Sequence, residues 1–404
     1  MSNKIVSLLM VIGLILGVKS GLAQGQGLHK GWVMVPDSSL ERPEDVGKKA
    51  HTNHVIFLRA GATYTSPWGE TPASIRAVYG LPAIGGAGVI AIVDAFDYPT
   101  AQADFDTFSG QFNLPLSTDS VCNGANPCFR KVYATGRKPK ANCGWAQEAA
   151  LDIEWAHAMA PSAQIVLVEA ASNRFSDLFQ AVDVATNIVQ NGGIGSGEVS
   201  MSWGGSEFST EANNDGHFTA NGVVYFAASG DAGGKTIYPG VSPNVVSAGG
   251  TTINRDAGGN FVSETGWSGS GGGPSKYEPR PSYQGGIVTI VGSQRGAPDF
   301  SFDANPNSGV SVYDSTSCQG SSGWLVFGGT SVSSPSLAGI VNLAGHFYLN
   351  TGTELGTIYA DYASPTYYPA DFRDILSGTA GSYTAKAGWD FVTGVGSNKG
   401  LNGK

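Results

Sequence analysis

Short, largely apolar runs alternate with longer segments of helical periodicity along most of this chain. Gly88-Val-Ile-Ala-Ile-Val-Asp94 is one such run, closed by a carboxylate, and Ile165–Glu169, Val199–Trp203 and Val223–Ala228 are others. Each is bounded by Gly, Ser, Asn or Asp. Runs without polar alternation suit strands of a parallel sheet buried on both faces. Between them the pattern predicts helices over 145–160, stopped by Pro161, and over 175–189, ended by Asn191-Gly192-Gly193. A third is predicted over 331–348, with Leu337, Ile340, Val341, Ala344 and Phe347 on one face. The alternation argues for an α/β fold with a mostly parallel central sheet and helices on both faces. No internal repeat is visible.

The first 70 residues differ. Lys4, the apolar stretch Ile5–Val18 and the small-residue end Gly21-Leu22-Ala23 form a signal-peptide pattern over residues 1–23, which implies a secreted, extracellular protein. The stretch is shorter than the ~20 residues that span a bilayer, and no later run is long enough. No membrane association is expected after cleavage. Residues 24–70 hold a charge-dense patch (Glu41, Arg42, Glu44, Asp45, Lys48, Lys49) without a repeating pattern, and read as an N-terminal extension or short pro-segment. Residues 71–404 then form the main domain.

Composition narrows the class. The chain has 58 glycines in 404 residues, only 14% charged residues and a formal net charge of −9. Glycine at about twice its usual ~7% excludes long coiled coils, and the sparse charge excludes a disordered chain. No basic stripe points to nucleic acid. The four cysteines allow three pairings. Cys122 and Cys128 flank a short Asn-Gly-Ala-Asn-Pro turn and are paired first, which leaves Cys143 for Cys318. No CxxC or paired-His spacing supports zinc.

Three segments carry candidate chemistry. In Gly328-Gly-Thr-Ser-Val-Ser-Ser-Pro335, Ser331 follows a glycine turn and opens a helix, where N–H groups favour developing negative charge. A plain serine cap would look the same. None of the six histidines stands in a recognisable catalytic context; His51 and His54 lie in the N-terminal segment and His346 follows Ser331 on its helix, so a Ser-His-Asp triad lacks support. Glu148 and Asp152, four residues apart, share a helix face where one proton between them would stabilise the pair, while Glu154 points elsewhere. A lone pair of this kind is mostly a solvated acidic face. Asp231 lies just past the 223–228 run, where open α/β sheets place functional groups. Its segment nearly matches a phosphate loop, but Ser229 replaces the required glycine and prolines follow Thr236.

Taken in order, these segments resemble the sedolisin family of serine-carboxyl peptidases. So do Ser200-Met-Ser-Trp-Gly204, Gly271-Gly-Gly-Pro-Ser-Lys-Tyr-Glu-Pro-Arg-Pro-Ser-Tyr283 and Ala297-Pro-Asp-Phe-Ser-Phe-Asp-Ala-Asn-Pro306. The likeness runs from about Glu70 to the C-terminus. It implies a subtilisin-like fold, Ser331 as nucleophile, Glu148 as general base, Asp152 orienting it and Asp231 stabilising the oxyanion. It also places Asp94 and Trp203 near the catalytic carboxylates. Ser202, Trp203 and Gly204 would present an edge to the substrate backbone, with Gly271 and Gly272 in the cleft wall. The resemblance further implies one structural Ca²⁺, held by the side chains of Asp374 and Asp390 and the carbonyls of Ile375, Lys386 and Gly388. Acid action fits the residue types, because a glutamate (reference pKa ~4.3) still accepts a proton where a histidine (~6.5) is already charged. Protein or peptide substrates and a monomer are expected. The family's long pro-domain does not fit in residues 24–70. The rival readings are a catalytically silent secreted binding protein on the same fold, and an acyl hydrolase of small esters, for which no Gly-x-Ser-x-Gly elbow is found.

Overall fold

The computed structural model describes residues 31–59 and 64–404; the signal-peptide reading of residues 1–23 lies outside them. Among the described residues the largest sheet has ten strands. Its core runs Phe300–Asp303, Val246–Arg255, Val223–Ala228, Gly197–Met201, Val89–Ala95, Gln164–Ala170 and Phe129–Tyr133, all parallel neighbours. Phe261–Gly266 and Phe372–Arg373 add antiparallel pairings at its margin. The Val89–Ala95 strand shows why the run has no polar alternation. Ile90 and Ile92 pack into one apolar cluster, while Val89, Ala91, Val93 and Ala95 pack into another on the opposite face. Helices Cys143–Met159 and Thr330–Ala344 lie on the first face, and Phe175–Asn191 on the second.

The boundaries depart from expectation for local reasons. The carboxylate-bearing helix begins at Cys143, because the Asn142 side chain accepts the Trp145 N–H at 3.2 Å. The serine-bearing helix ends at Ala344 and not Tyr348, since Gly345 takes a left-handed cap (φ 76°) that leaves Phe347 outside. Both helices are buried almost all round, so neither has the solvated face that a periodic pattern suggests. The run 199–203 is split at Ser202: Gly197–Met201 stays in the large sheet, and Trp203–Ser206 leaves it.

The N-terminal segment is woven into the fold. Gly31–Met34 and Val55–Arg59 join Ser321–Gly328 and Val310–Cys318 in a four-stranded antiparallel sheet, with Ile56 and Leu58 in the core. Val55 is paired with Gly328, two residues before the serine helix. His51–Thr52 forms a third sheet with Trp203–Ser206 and Ile237–Tyr238. Both disulfides are Cys122–Cys128 and Cys143–Cys318, as expected; the second ties the carboxylate helix to the sheet that precedes Ser331. Among the described residues no helix is long and apolar enough to cross a membrane.

Candidate functional site

Three elements converge at one end of the large sheet. The serine helix follows Gly329, whose φ of 100° and crowded surroundings require glycine; a Cβ there would strike the Asn53 carbonyl oxygen, Asp231 Oδ2 and His54 Cα. Ser331 is fully buried, and its Oγ donates to the Ser202 carbonyl oxygen at 3.1 Å. Glu148 and Asp152 reach the same place from the neighbouring helix, also fully buried. Asp231 comes from the turn after the Val223–Ala228 strand. Its Oδ1 accepts the backbone N–H and the hydroxyl of Thr330, each at 2.8 Å, and its Oδ2 has no hydrogen-bond partner among the described residues.

Burial governs the protonation of these carboxyls. Asp231 is pushed up to about 8 by burial, with Thr330 pulling it back and the Glu148 charge adding to the rise. Glu148 is likewise pushed up to about 8 by burial, offset by the Ser331 hydroxyl, the Asn53 backbone and Thr52. Asp152 is raised well above the carboxylate range by burial and then by Glu148, while the Ser202 hydroxyl, 2.8 Å from its Oδ1, works the other way. Asp94 is raised by burial, then by the charges of Asp152 and Glu148, and neither of its oxygens has a hydrogen-bond partner among the described residues. Glu148, Asp152 and Asp94 are thus one interacting set that releases its protons in steps.

The chain's own N-terminal segment lies across this cluster. Asn53 N–H donates to the Ser202 carbonyl at 3.2 Å, and the Asn53 carbonyl accepts the Ser331 N–H at 3.0 Å. Ser331 Oγ is 3.1 Å from the Asn53 nitrogen. His51 and Thr52 pair with Gly204 and Trp203, respectively, in antiparallel register. His54 Nδ1 meets Glu148 Oε2 at 2.7 Å, and its ring stacks on Phe327. Burial draws His54 down to about 3, with Gln147 opposing, so both partners favour the neutral state and the contact is a hydrogen bond between uncharged groups, not an ion pair. Asn53 carries no signal in the sequence, and His54 is set aside there as a histidine of the N-terminal segment without a catalytic context. The available signal was the apolar run Val55-Ile-Phe-Leu58, which marks a strand starting beside them.

Other expected site residues fall as follows. The Trp203 ring is buried away from the cleft, its Nε1 donating to the Val93 carbonyl at 2.8 Å, so only its backbone faces the segment. Gly271 backs onto the Ser229 carbonyl and Gly272 onto the Phe391 carbonyl, each too close for a side chain. Gly272 and Gly273 line a cavity of about 530 Å³ beside the segment, together with Asp231, Lys235, Thr52 and Asn53. In the C-terminal loop, both Asp374 oxygens lie 3.1 Å from the Gly388 N–H. Asp390 Oδ2 accepts the Lys386 N–H, and its Oδ1 accepts those of Val392 and Thr393. Among the described residues no cluster of three or more His, Cys, Asp or Glu stands ready for a metal. A hard cation here would need backbone oxygens to complete its shell. The loop fits that chemistry, since both carboxylates meet only uncharged donors.

No protein-family model matches the chain. It is 33% identical over 291 residues to kumamolisin from Bacillus sp. (strain MN-32), covering 63% of this chain and 49% of that protein. It is 31% identical over 208 residues to sedolisin from Pseudomonas sp. (strain 101), covering 48% of this chain and 33% of that protein. Xanthomonalisin from Xanthomonas sp. (strain T-22) matches at 30% over 182 residues, 39% of this chain and 21% of that protein. The chain spans under half the length of each of these relatives. Among solved structures, Pseudomonas sedolisin, a serine-carboxyl proteinase complexed with two molecules of pseudo-iodotyrostatin, superposes with a TM-score of 0.67 at 24% identity, covering 83% of this chain and 96% of that one. That likeness speaks for the fold.

Proposed function

Because the chain belongs to the sedolisin family, we propose that it is a secreted, acid-acting serine-carboxyl peptidase that cuts peptide bonds through an acyl-enzyme on Ser331. One observation carries this reading. The Ser331 N–H and the unpartnered Asp231 Oδ2 both border the spot where a peptide carbonyl oxygen, that of Asn53, already sits. A tetrahedral intermediate places its negative oxygen there, and two donors aimed at that point stabilise it. Asp231 can donate only while protonated, which burial favours up to about pH 8.

Glu148 accepts the Ser331 proton and returns it to the leaving amine. Asp152 shares protons with Glu148 and is itself positioned by Ser202. Solvent reaching the cleft weakens the burial that raises these carboxyls, so Glu148 becomes available as a base when the cleft is open. The working window lies above the first ionisation of the Glu148–Asp152 pair and below that of Asp231. Substrates are extended peptides, added as a strand to the edge Trp203–Ser206. A Ca²⁺ ion held by Asp374 and Asp390, with the carbonyls of Ile375, Lys386 and Gly388, would brace the C-terminal loop.

The test is digestion of a denatured protein at acid pH by the native enzyme and by Ser331→Ala. Loss of cleavage by several orders of magnitude in the variant is expected. Equal cleavage by both, or a rate that peaks at alkaline pH, would remove the assignment.

A further inference from the structure

The edge strand Trp203–Ser206 runs straight into Glu207, a buried carboxyl that the bond-breaking steps do not use. Its Oε2 accepts the Thr236 hydroxyl at 2.5 Å. Its Oε1 accepts the Ser275 hydroxyl and, at 2.8 Å, the Lys276 N–H. Ser206, Thr236 and Lys276 all line the cavity of about 530 Å³ beside the edge. They belong to three different walls: the edge strand, the turn that carries Asp231, and the strand Gly273–Pro279. One side chain therefore ties together the walls that face a peptide laid on the edge. Behind Glu207 stand Glu211 and Glu278, both buried, and the half-buried Asp215. Glu211 Oε2 accepts the Phe208 N–H at 2.7 Å, and Asp215 Oδ1 accepts the hydroxyls of Tyr238 and Ser242 at 3.1 and 2.7 Å. Glu211 Oε1 and Glu278 Oε1 meet no donor among the described residues. Their hydrogen-bonding neighbours are carboxyls, Glu207 for Glu211 and Asp215 for Glu278. Two carboxyls in contact attract only with a proton between them. Among the described residues none of the four has an ion-pair partner. Arg295, the nearby guanidinium, is paired with Asp299; the Lys235 and Lys276 side chains are exposed; and Glu41 is bound to Ser206.

We infer that Glu207 is a positioning residue for peptide binding, which holds the three cavity walls in place through its hydrogen bonds, and that protons carried by Glu211 and Glu278 keep it there. The inference rests on the peptidase reading above and adds to it a pH dependence of binding, apart from bond breaking. Burial pushes Glu211 up to about 8; the Phe208 N–H opposes this, and the charges of Glu207 and Glu278 add to it. Glu278 is pushed up to about 8 by burial and then by Asp215. Below that range Glu211 donates its proton to Glu207, and Glu278 donates its own to Asp215. As pH rises through it, both protons leave and two further negative charges stand beside Glu207 with no free cation among them. The carboxyls then repel, the hydrogen bonds to Thr236, Ser275 and Lys276 lose their fixed geometry, and peptide binding weakens. This loss falls on KM, whereas ionisation of Asp231 removes the oxyanion donor and falls on kcat.

The test is steady-state cleavage of an internally quenched peptide by the purified full chain between about pH 4 and about pH 8, with kcat and KM separated. In the native enzyme KM should rise as pH approaches 8. Glu207→Ala should raise KM at acid pH about tenfold and change kcat by less than about threefold. Glu211→Gln still accepts the Phe208 N–H through its amide oxygen and donates to Glu207 at every pH. It should at least halve the rise of KM with pH, while kcat falls toward pH 8 as in the native enzyme. A KM within twofold of native in Glu207→Ala, or a loss confined to kcat, overturns this inference and leaves the peptidase reading standing. If Glu207→Ala does not fold, Glu211→Gln decides alone. A native rise of KM with pH in that variant overturns the inference whatever its melting temperature, since the cluster would then brace the fold without touching binding. A native chain that cuts no peptide at any pH overturns the peptidase reading and this inference with it.

Discussion

Asp231 and Asp390 are both buried carboxyls, but they are held in different ways. Asp231 meets one residue, Thr330, and leaves Oδ2 without a partner, while the nearby Glu148 charge discourages ionisation. Asp390 is wrapped by the N–H groups of Lys386, Val392 and Thr393 and by the Thr393 hydroxyl, which oppose the burial that still leaves its pKa raised. The first environment keeps a proton on the carboxyl and an oxygen free. The second provides for a negative charge. The contrast separates a group built to donate a hydrogen bond from one suited to hold a cation.

The largest expected effects test the first half of that contrast. Asp231→Ala removes the donor and should lower kcat by about 10²–10³-fold. Asp231→Asn should lose less, because an amide donates at every pH, and its activity should no longer fall as pH approaches 8. If Asn and Ala are equally impaired and keep the native pH profile, Asp231 is not the oxyanion donor. Glu148→Gln should lower kcat by about 10²–10⁴-fold, since it can accept no proton.

A second effect concerns stability. Glu148, Asp231 and Glu354 hold their protons in the fold to about pH 8, chiefly through burial. The same residues in an unfolded chain release them near pH 4. Between those values the folded state binds more protons, so stability falls as pH rises; below about 4 the contribution is fully present. Asp97, held below the usual carboxylate range by Lys131 and Lys138 against the pull of its own burial, acts oppositely, but only at the acid end. Ser331→Ala, chosen to remove the proposed nucleophile, should therefore melt several degrees higher near pH 4 than near pH 8. A melting temperature that rises steadily with pH would contradict the burial account.

Most of this fold could be read from the chain because its strands are short apolar runs and its helices carry local stop signals. Glu148, Asp152, Asp231 and Ser331 could be named, but not their burial. An acidic pair four residues apart looks the same on a solvated helix as on one enclosed by Thr330–Ala344 and the sheet. The role of residues 50–59 was hidden for another reason. Val55–Leu58 is too brief a run to stand out, and its partner strand Ser321–Gly328 lies more than 260 residues later, beyond any local pattern. The burial of His54 and its contact with Glu148 follow from that distant pairing.

The C-terminal loop gives a smaller prediction. If Asp374 and Asp390 hold Ca²⁺, chelation should lower the melting temperature. At a calcium level 100-fold above Kd the stabilisation lost is about 2.7 kcal/mol, a shift of a few degrees. Asp374→Asn should be insensitive to the chelator. A native chain with the same melting temperature in both conditions would mean that the backbone donors alone satisfy the loop.

The smallest effect returns to the site. Ser202 Oγ donates to Asp152 Oδ1, and a donor to a carboxyl favours its charged form. Ser202→Ala should raise the Asp152 pKa further. The Glu148–Asp152 pair then needs a higher pH to release its first proton, so the acid limb of the rate profile moves upward. The alkaline limb, set by Asp231, should stay in place. The loss of one hydrogen bond to a neutral-leaning group is worth about 1 kcal/mol, roughly a fivefold fall in rate at the native optimum. The direction of the shift is the sharper measurement. A fall without movement of the acid limb would mean that Ser202 serves only the peptide-binding edge and leaves the proton shared by Glu148 and Asp152 untouched.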